Sequence, residues 1–203
     1  MTDGNPLEQA LRWERVVHSS SGQAAADSAL YEKALCYLEA DLPGEALKTL
    51  DRIRVYMLEP SDIQKVMLLK YRCSLECGDL GAALGYLEES GADMTEVNKI
   101  LGKAPKDRKE GAAAALSFLP PFGQIYVGRP LEGVGALVAN AAAVCFTVAE
   151  LSGHYWITGL LGGGLLLNET FFKWNLDRNM AGVEAANKAA EARKVELLRQ
   201  NQF

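Results

Sequence analysis

Residues 130–172 read PLEGVGALVANAAAVCFTVAELSGHYWITGLLGGGLLLNETFF, and this stretch contains neither lysine nor arginine. Within it, two apolar runs at 131–151 and 154–172 are separated by Ser152 and Gly153. An α-helix rises about 1.5 Å per residue and the hydrocarbon core of a bilayer is about 30 Å thick, so each run is long enough to cross it. The sequence therefore predicts two membrane spans joined as a helical hairpin.

Basic residues on both sides of the hairpin predict its orientation. They are Lys103, Lys106, Arg108 and Lys109 before it, and Lys173, Arg178, Lys188, Arg193 and Lys194 after it. The connection at 152–153 carries no basic residue, and cytoplasmic flanks are enriched in lysine and arginine, so both termini are expected in the cytoplasm. Residues 1–6 show neither the basic region nor the apolar core of a secretory signal. Removal of an upstream signal would reverse this orientation.

Composition and cysteine spacing exclude several classes of function. A net charge of −5 and a pI near 5.2 argue against a nucleic-acid partner, which needs a basic face. Cys36 and Cys145 stand alone, and Cys73 and Cys77 are four residues apart, which is not a zinc-binding pattern. No Ser/His/Asp or paired-carboxylate constellation is discernible, so we expect no catalytic residue, no metal and no cofactor.

The N-terminal half contains an internal repeat of helices. A shift of 37 residues aligns Lys33 with Lys70, Cys36 with Cys73, Leu38 with Leu75, Glu39 with Glu76, Gly44 with Gly81, Ala46 with Ala83, Leu47 with Leu84 and Leu50 with Leu87. Identities at helical spacing on both sides of a turn are typical of stacked helical hairpins. We expect helices from Asp27 or Ser28 to Glu39, from Pro43 to Leu58, from Pro60 to Cys77 and from Leu80 to Glu89.

This pattern resembles the tetratricopeptide repeat over residues 24–90. Ala34-x2-Tyr37 and Ala46-x3-Leu50 reproduce the family's alternation of small and large residues, and Pro60 follows the second helix. In the second copy Ala83-x3-Leu87 fits, while Tyr71 and Ser74 replace the first pair. The resemblance implies a surface that binds a protein partner. Because two repeats alone make a marginal stack, we expect 7–17 and 94–101 to cap the ends.

Residues 102–110 form a basic linker, and the segment 112–129 after it is interrupted by a double proline. Its motif consists of Pro120, Pro121, Phe122, Gly123, Tyr126, Gly128 and Arg129. The spacing Phe-Gly-x2-Tyr-x-Gly-Arg resembles the entry motif of the TM2 domain, a module of two spans. Helical repeats followed by such a hairpin also resemble bacterial membrane proteins, which implies a location in a bacterial inner membrane and no particular activity. The segment 112–129 is expected to be interfacial or re-entrant.

Polar and small residues inside the spans are the remaining candidates for function. Asn140, Asn168 and Glu169 are the intramembrane polar residues; the asparagines are expected to bond across helices or subunits, and Glu169 to pair with Lys173. Close packing is predicted in two sets, Gly135 with Ala139 and Ala143, and Gly159 with Gly163. Interfacial aromatic residues are expected at Tyr155, Trp156, Phe171, Phe172 and Trp174.

These observations predict an all-α protein. Its parts are a repeat domain (1–101), a linker (102–110), a membrane module (111–174) and a C-terminal helix (175–203) that lies on the membrane surface or packs on the repeats. The function expected is that of a membrane-anchored adaptor or scaffold without catalytic activity, either alone or assembled as a homo- or hetero-oligomer through the Gly/Ala-rich spans.

Two other interpretations stay open at this point. Oligomerised hairpins would form a small channel or transporter subunit, and loss of flux after substitution of Asn140 and Glu169 would indicate it. A soluble protein would instead bury residues 111–172 as its core, and alkaline carbonate would then extract it from a membrane pellet.

Overall fold

The computed structural model of this protein describes residues 5–119 and 121–201, apart from the side chains of residues 170–172. The predictions made for Pro120, Phe171 and Phe172 lie outside these described residues. All regular elements in the described part of the chain are helices, which confirms the all-α class. The chain divides into two compact units, one formed by Met1–Ala104 with Ala192–Phe203 and the other by Pro105–Glu191.

The first unit contains six helices within its described residues. They are α1 (Pro6–Ser19), α2 (Gln23–Glu39), α3 (Pro43–Leu50), α4 (Pro60–Cys77), α5 (Leu80–Glu89) and α6 (Met94–Leu101). Proline occupies the first turn of α1, α3 and α4, where its missing N–H leaves no bond unmade. Gly78 ends α4 in the left-handed region, with φ at 80°, and the Asp79 side chain then caps α5 by accepting from the Ala82 N–H at 2.9 Å. The bounds predicted for α4 and α5 are therefore those observed.

Two predicted helix ends are wrong. Helix α2 begins at Gln23 rather than at Asp27 or Ser28, and Asp27 is buried inside it, accepting a hydrogen bond from Gln23 Nε2 at 2.9 Å. Helix α3 ends at Leu50 rather than Leu58, and a short 3-10 turn follows at Val55–Met57. The chain leaves the helix here because Ile53 turns into the core, where it is buried.

Two apolar clusters form the core of the first unit, one for each predicted repeat. The first lies between α2, α3 and α4, and includes Ala34, Ala46 and Leu50, all fully buried. The second lies between α4, α5 and α6 and includes Ala83 and Leu87, also fully buried. Tyr37 packs on the first cluster but stays half-buried. The small residues let the paired helices approach closely while the leucines fill the space between them.

The long C-terminal helix α11 (Asn175–Gln200) contributes to both units. Val195 and Leu198 belong to the second cluster, where Leu198 is 1% exposed. Arg199 donates to the Leu75 carbonyl oxygen at 2.6 Å and pairs with Glu76 at 3.2 Å. The last turns of this helix therefore pack on the predicted repeats, which is one of the two placements considered for it.

The second unit begins with an extended stretch, 105–109, and continues as helices. These are α7 (Glu110–Ser117), α8 (Phe122–Tyr126), α9 (Pro130–Ser152), a π-helix at Thr158–Gly163, α10 (Gly164–Leu167), a second π-helix at Asn168–Trp174, and the first half of α11. The first apolar run is thus one continuous helix, whereas the second alternates between π and α turns. Repeated glycine at 162–164 weakens the regular helix there, because glycine loses more conformational entropy than other residues when it is ordered in a helix.

Candidate functional site: an apolar hairpin on a polar base

Helix α9 is long and apolar enough to cross a membrane, and most of its surface is uncovered. It has 23 residues, and only 17% of its most apolar window is buried within the chain. The shorter apolar helix Thr158–Leu167 follows it, and Leu160, Leu161 and Leu165 are all more than half exposed. By length and composition, the described residues thus contain one candidate span.

Glycines at two positions let the second run lie against α9. A β-carbon on Gly159 would lie 2.8 Å from Leu151 Cδ2, and one on Gly163 would lie 2.9 Å from Thr147 Cβ. Both distances are shorter than van der Waals contact, so a larger residue at either position would force its neighbour on α9 to shift. Gly159 and Gly163 therefore pack as predicted for them.

Of the three small residues predicted to pack on α9, Ala143 is buried, whereas Ala139 is half-buried and Gly135 does not pack. Gly135 is exposed, and the buried positions of α9 are Gly133, Ala136, Asn140 and Ala143. These follow a spacing of three and four residues, whereas the predicted set at strict intervals of four drifts around a helix with 3.6 residues per turn.

Four uncharged polar side chains are buried where α7, α8 and the start of α11 meet. Gln124 Nε2 donates to Asn175 Oδ1 at 2.9 Å, and Asn179 Nδ2 donates to Ser117 Oγ at 2.7 Å. All four residues are at most 4% exposed. We call this set, Ser117, Gln124, Asn175 and Asn179, the polar base; it ties α7 and α8 to the start of α11.

Glycines of the predicted motif make the polar base possible. A β-carbon on Gly123 would lie 2.8 Å from Asn179 Cγ, so the asparagine occupies the space of a missing side chain. Gly133 meets Pro121 in the same way, at 2.9 Å from its Cβ, and Gly182 of α11 meets Val127 at 2.8 Å. Gly128 has φ at 86°, a left-handed conformation that favours glycine, and it lets the Arg129 N–H donate to the Gln124 carbonyl oxygen at 2.7 Å.

Tyr126 of the motif fastens the end of the linker. Its hydroxyl accepts from the Lys109 N–H at 3.0 Å, its carbonyl oxygen accepts from the Arg108 guanidinium, and that guanidinium lies 5.3 Å from the ring centroid. Asn187 completes the contact, because its amide accepts from the Arg108 N–H at 2.7 Å and donates to the Arg108 carbonyl oxygen at 3.1 Å.

Charged residues mark the entrance to α9. Glu132 lies 3.5 Å from Arg129 and 3.8 Å from Arg178. Phe122, by contrast, is 55% exposed. The motif residues described by the structure therefore hold α8 against α9 and α11, and Phe122 adds to the apolar surface.

The polar residues of the two apolar runs fall in two different environments. Asn140 is 4% exposed, and neither polar atom of its amide has a hydrogen-bond partner among the described residues. Asn168 and Glu169 are exposed, and Glu169 pairs with Lys173 at 3.3 Å, the contact predicted from their spacing. The two asparagines are therefore not brought together. Tyr155, Trp156 and Trp174 are all more than a third exposed.

The sequence analysis missed every partner that α11 supplies to the motif. Asn175, Asn179, Val183 and Asn187 recur at intervals of four residues, so successive members lie one turn apart on the same side of the helix, each rotated about 40° from the last. The rest of the helix is rich in charge, so three amides and one valine on one side could have predicted that this side packs against the protein. In addition, the described residues hold no cluster of three or more His, Cys, Asp or Glu side chains placed to bind a metal.

Comparisons with protein-family models, with curated proteins and with solved structures found no match to this chain.

Proposed function

We propose that this protein is a membrane-anchored adaptor, without catalytic activity, whose helical hairpin is embedded in a bilayer and whose repeat domain binds a protein partner. The observation that carries the proposal is the uncovered surface of α9. Only 17% of the most apolar window of this helix is buried within the chain. In water such a surface would be an aggregation hazard, because apolar area is stabilised only where water is excluded.

The hairpin as a pair of spans is supported by its packing. The second run is too irregular to insert alone. Gly159 and Gly163 let it pack against α9, and this contact buries both glycines. Its exposed leucines each favour insertion by about 0.5 kcal/mol at the bilayer centre. The basic flanks support both termini in the cytoplasm, as in a bacterial inner membrane.

The adaptor role is supported by the surface of the first unit. A cleft of about 250 Å³ lies between α2 and α4, and its apolar lining includes Tyr31, Leu58 and Val66. Next to it along the chain, Tyr56 and Met57 are 80% and 61% exposed. Exposed aromatic residues and methionine beside a cleft are typical of protein-binding surfaces.

The state of Glu169 favours anchoring over the alternative of a channel subunit. Its carboxylate pairs with Lys173 one turn later, which neutralises it near the end of the apolar run. A conducting path would instead use an intramembrane carboxylate that faces a water-filled interior.

Alkaline carbonate extraction tests the anchor. We expect the wild-type chain in the membrane pellet, and the double variant Leu137→Arg/Leu160→Arg to be released, since each arginine costs about 2.5–3.5 kcal/mol at the centre of a span. The matched control is Leu11→Arg, at a leucine 61% exposed on α1, and it should stay in the pellet. Release of the wild-type chain would refute the anchor.

Site-specific photo-crosslinking tests the adaptor role. A photoreactive residue at Tyr56 should give one discrete adduct with a partner protein in cells, while the same residue at Lys48, which lies outside the cleft, should not. Equal labelling from both positions, or none from either, would contradict binding at this surface.

A further inference from the structure

An apolar groove runs along the exposed side of α9. It encloses about 420 Å³ and is lined by Phe118 and Leu119 on one side and by Leu137, Asn140, Ala141 and Val144 of α9 on the other. We call it the α9 groove. All of its lining residues belong to the second unit, so it is a feature of that unit alone.

Asn140 is the one polar residue among these and its amide is unsatisfied. The side chain is 4% exposed, and both Nδ2 and Oδ1 lack hydrogen-bond partners among the described residues. A buried amide without partners is costly, the more so where no water competes. Asn140 itself lines the groove, so a molecule that occupies the groove satisfies this amide if it offers both an acceptor and a donor.

The chemistry of an amide restricts what satisfies it. Lipid acyl chains offer no hydrogen bond, and lipid esters accept without donating. A second Asn140 does both, because two amides related by a two-fold axis donate to each other reciprocally. Asparagine side chains are known to hold transmembrane helices together in this way.

The side chains next to Asn140 have the spacing of a helix-packing seam. Val134, Leu137, Ala141, Val144 and Val148 follow intervals of three and four residues, and all are exposed. This is the repeat by which two helices interlock side chains along a shallow crossing. The smallest residue, Ala141, lies at the centre of the seam beside Asn140, where two backbones would come closest.

We propose that this chain forms a two-fold symmetric dimer through α9, with the seam of each copy in the groove of the other and the two Asn140 amides paired across the axis. The dimer rests on the proposed membrane insertion, because lipid leaves helix pairing to packing and hydrogen bonds. It uses the outward seam together with Asn140, which lies at the border between this seam and the buried face that contains Gly133 and Ala136.

Cysteine crosslinking tests the dimer in the full-length protein. Cys145 is exposed and also lines the α9 groove, and Cys77, the other exposed cysteine in the described residues, is replaced by serine throughout. Cells are first fractionated, and whichever fraction holds the protein is treated with a flexible bismaleimide. Fractionation thus shows whether the protein is in the membrane, and a crosslinked band of twice its mass shows whether it forms a dimer.

Asn140→Leu is the decisive variant and Asn168→Leu its matched control. Leucine has the same number and branching of side-chain heavy atoms as asparagine and lacks the amide, so we expect the association constant, measured by light scattering in detergent, to fall roughly 3- to 30-fold. Asn168 is exposed on the other run, and its replacement should leave both dimer and crosslink unchanged. Compared at a protein concentration low enough for both chains to be monomeric, the thermal midpoint of Asn140→Leu should not fall below that of the wild type, because the variant removes a group that is unsatisfied in the monomer. This comparison separates loss of the dimer from loss of the fold.

Three results would overturn the proposal. One is a wild-type chain that stays monomeric while a monofunctional maleimide labels Cys145. Another is a dimer that Asn140→Leu leaves undiminished. The last is a monomer that retains a lipid in an Asn140-dependent manner, since the groove would then be a lipid site.

Discussion

Lys33 and Lys70 make the same contact in successive repeats: each ammonium donates to a carboxylate 19 residues earlier in the chain. Lys33 Nζ lies 2.7 Å from Glu14 Oε2, and Lys70 Nζ lies 2.6 Å from Asp51 Oδ1. The shift of 37 residues that aligns the two lysines also aligns the two acids. Both lysines are largely buried while their stems pack among the helices. The repeat therefore conserves an ion pair between successive helices as well as an apolar core.

Acid should weaken the first of these pairs. The hydrogen bond from Lys33 holds the pKa of Glu14 below its ordinary value of 4.5, with Arg52 adding to the effect and partial burial opposing it. A carboxylate with a lowered folded-state pKa stabilises the fold above its unfolded-state pKa, and this contribution is lost as the pH falls through the folded-state value. We expect Glu14→Gln to lower the free energy of unfolding at pH 7 by about 1–2 kcal/mol.

Denaturant unfolding of wild type and Glu14→Gln from pH 7 down to pH 3 measures this. The difference between the two proteins should shrink as the pH falls below the ordinary glutamate pKa. Glu45→Gln is the control, because Glu45 pairs with Lys48 on the exposed surface and its loss should stay within about 0.5 kcal/mol. A pH-independent difference for Glu14→Gln would contradict the ion pair.

Gly123→Ala should separate α8 from α11. The added methyl group would collide with the Asn179 amide and disturb its hydrogen bond to Ser117. Overpacking of this kind costs roughly 1–3 kcal/mol, so we expect a lower thermal midpoint in detergent. Gly111→Ala is the control, since no other side chain or distant backbone lies within 4 Å of that position among the described residues. Equal midpoints for the two variants would show that the polar base contributes nothing to stability.

Adjacent glycines in the second run should respond differently to the same substitution. A β-carbon on Gly163 would lie 2.9 Å from Thr147 Cβ, whereas one on Gly162 would lie 3.8 Å from Phe146 Cε1, an ordinary contact. We expect Gly163→Ala to destabilise the hairpin by roughly 1–3 kcal/mol and Gly162→Ala to stay within about 0.5 kcal/mol. Thr147→Ala should restore part of the loss in the Gly163→Ala background, and an additive double variant would place the two residues apart.

The sequence predicted those parts of the fold that are determined locally. Pro60 and Gly78 mark the ends of α4 by their own backbone preferences, so its bounds are readable without a structure. The end of α3 cannot be predicted in this way. The chain turns at Asp51 because Ile53 packs in the core, and this contact depends on residues that are distant in the sequence. The same holds for the site: the glycines of the motif were visible, but the closeness of Gly123 to Asn179 depends on a contact 56 residues away.

Thiol reactivity should distinguish the two cysteines of α4. Burial, with a smaller effect from Cys77, raises the pKa of the Cys73 thiol to about 11, and Cys73 is fully buried while Cys77 is exposed. Because the thiolate is the reactive form, iodoacetamide at pH 8 should modify Cys77 and spare Cys73 until denaturant is added. Mass spectrometry of tryptic peptides measures both. Equal modification of the two in the native protein would place α4 in a different rotation.

The last turns of α11 should determine the stability of the repeat domain. Leu198 is 1% exposed among the residues of α5 and α6, so Leu198→Ala leaves a cavity that costs about 2–5 kcal/mol. Arg193→Ala, on an exposed side chain that pairs only with Glu196 in the described contacts, should cost less than about 0.5 kcal/mol. Hydrogen exchange measured by mass spectrometry should then be faster in peptides from α5 and α6 of Leu198→Ala alone. Unchanged exchange in these peptides would mean that the helix contacts α5 and α6 without completing their core.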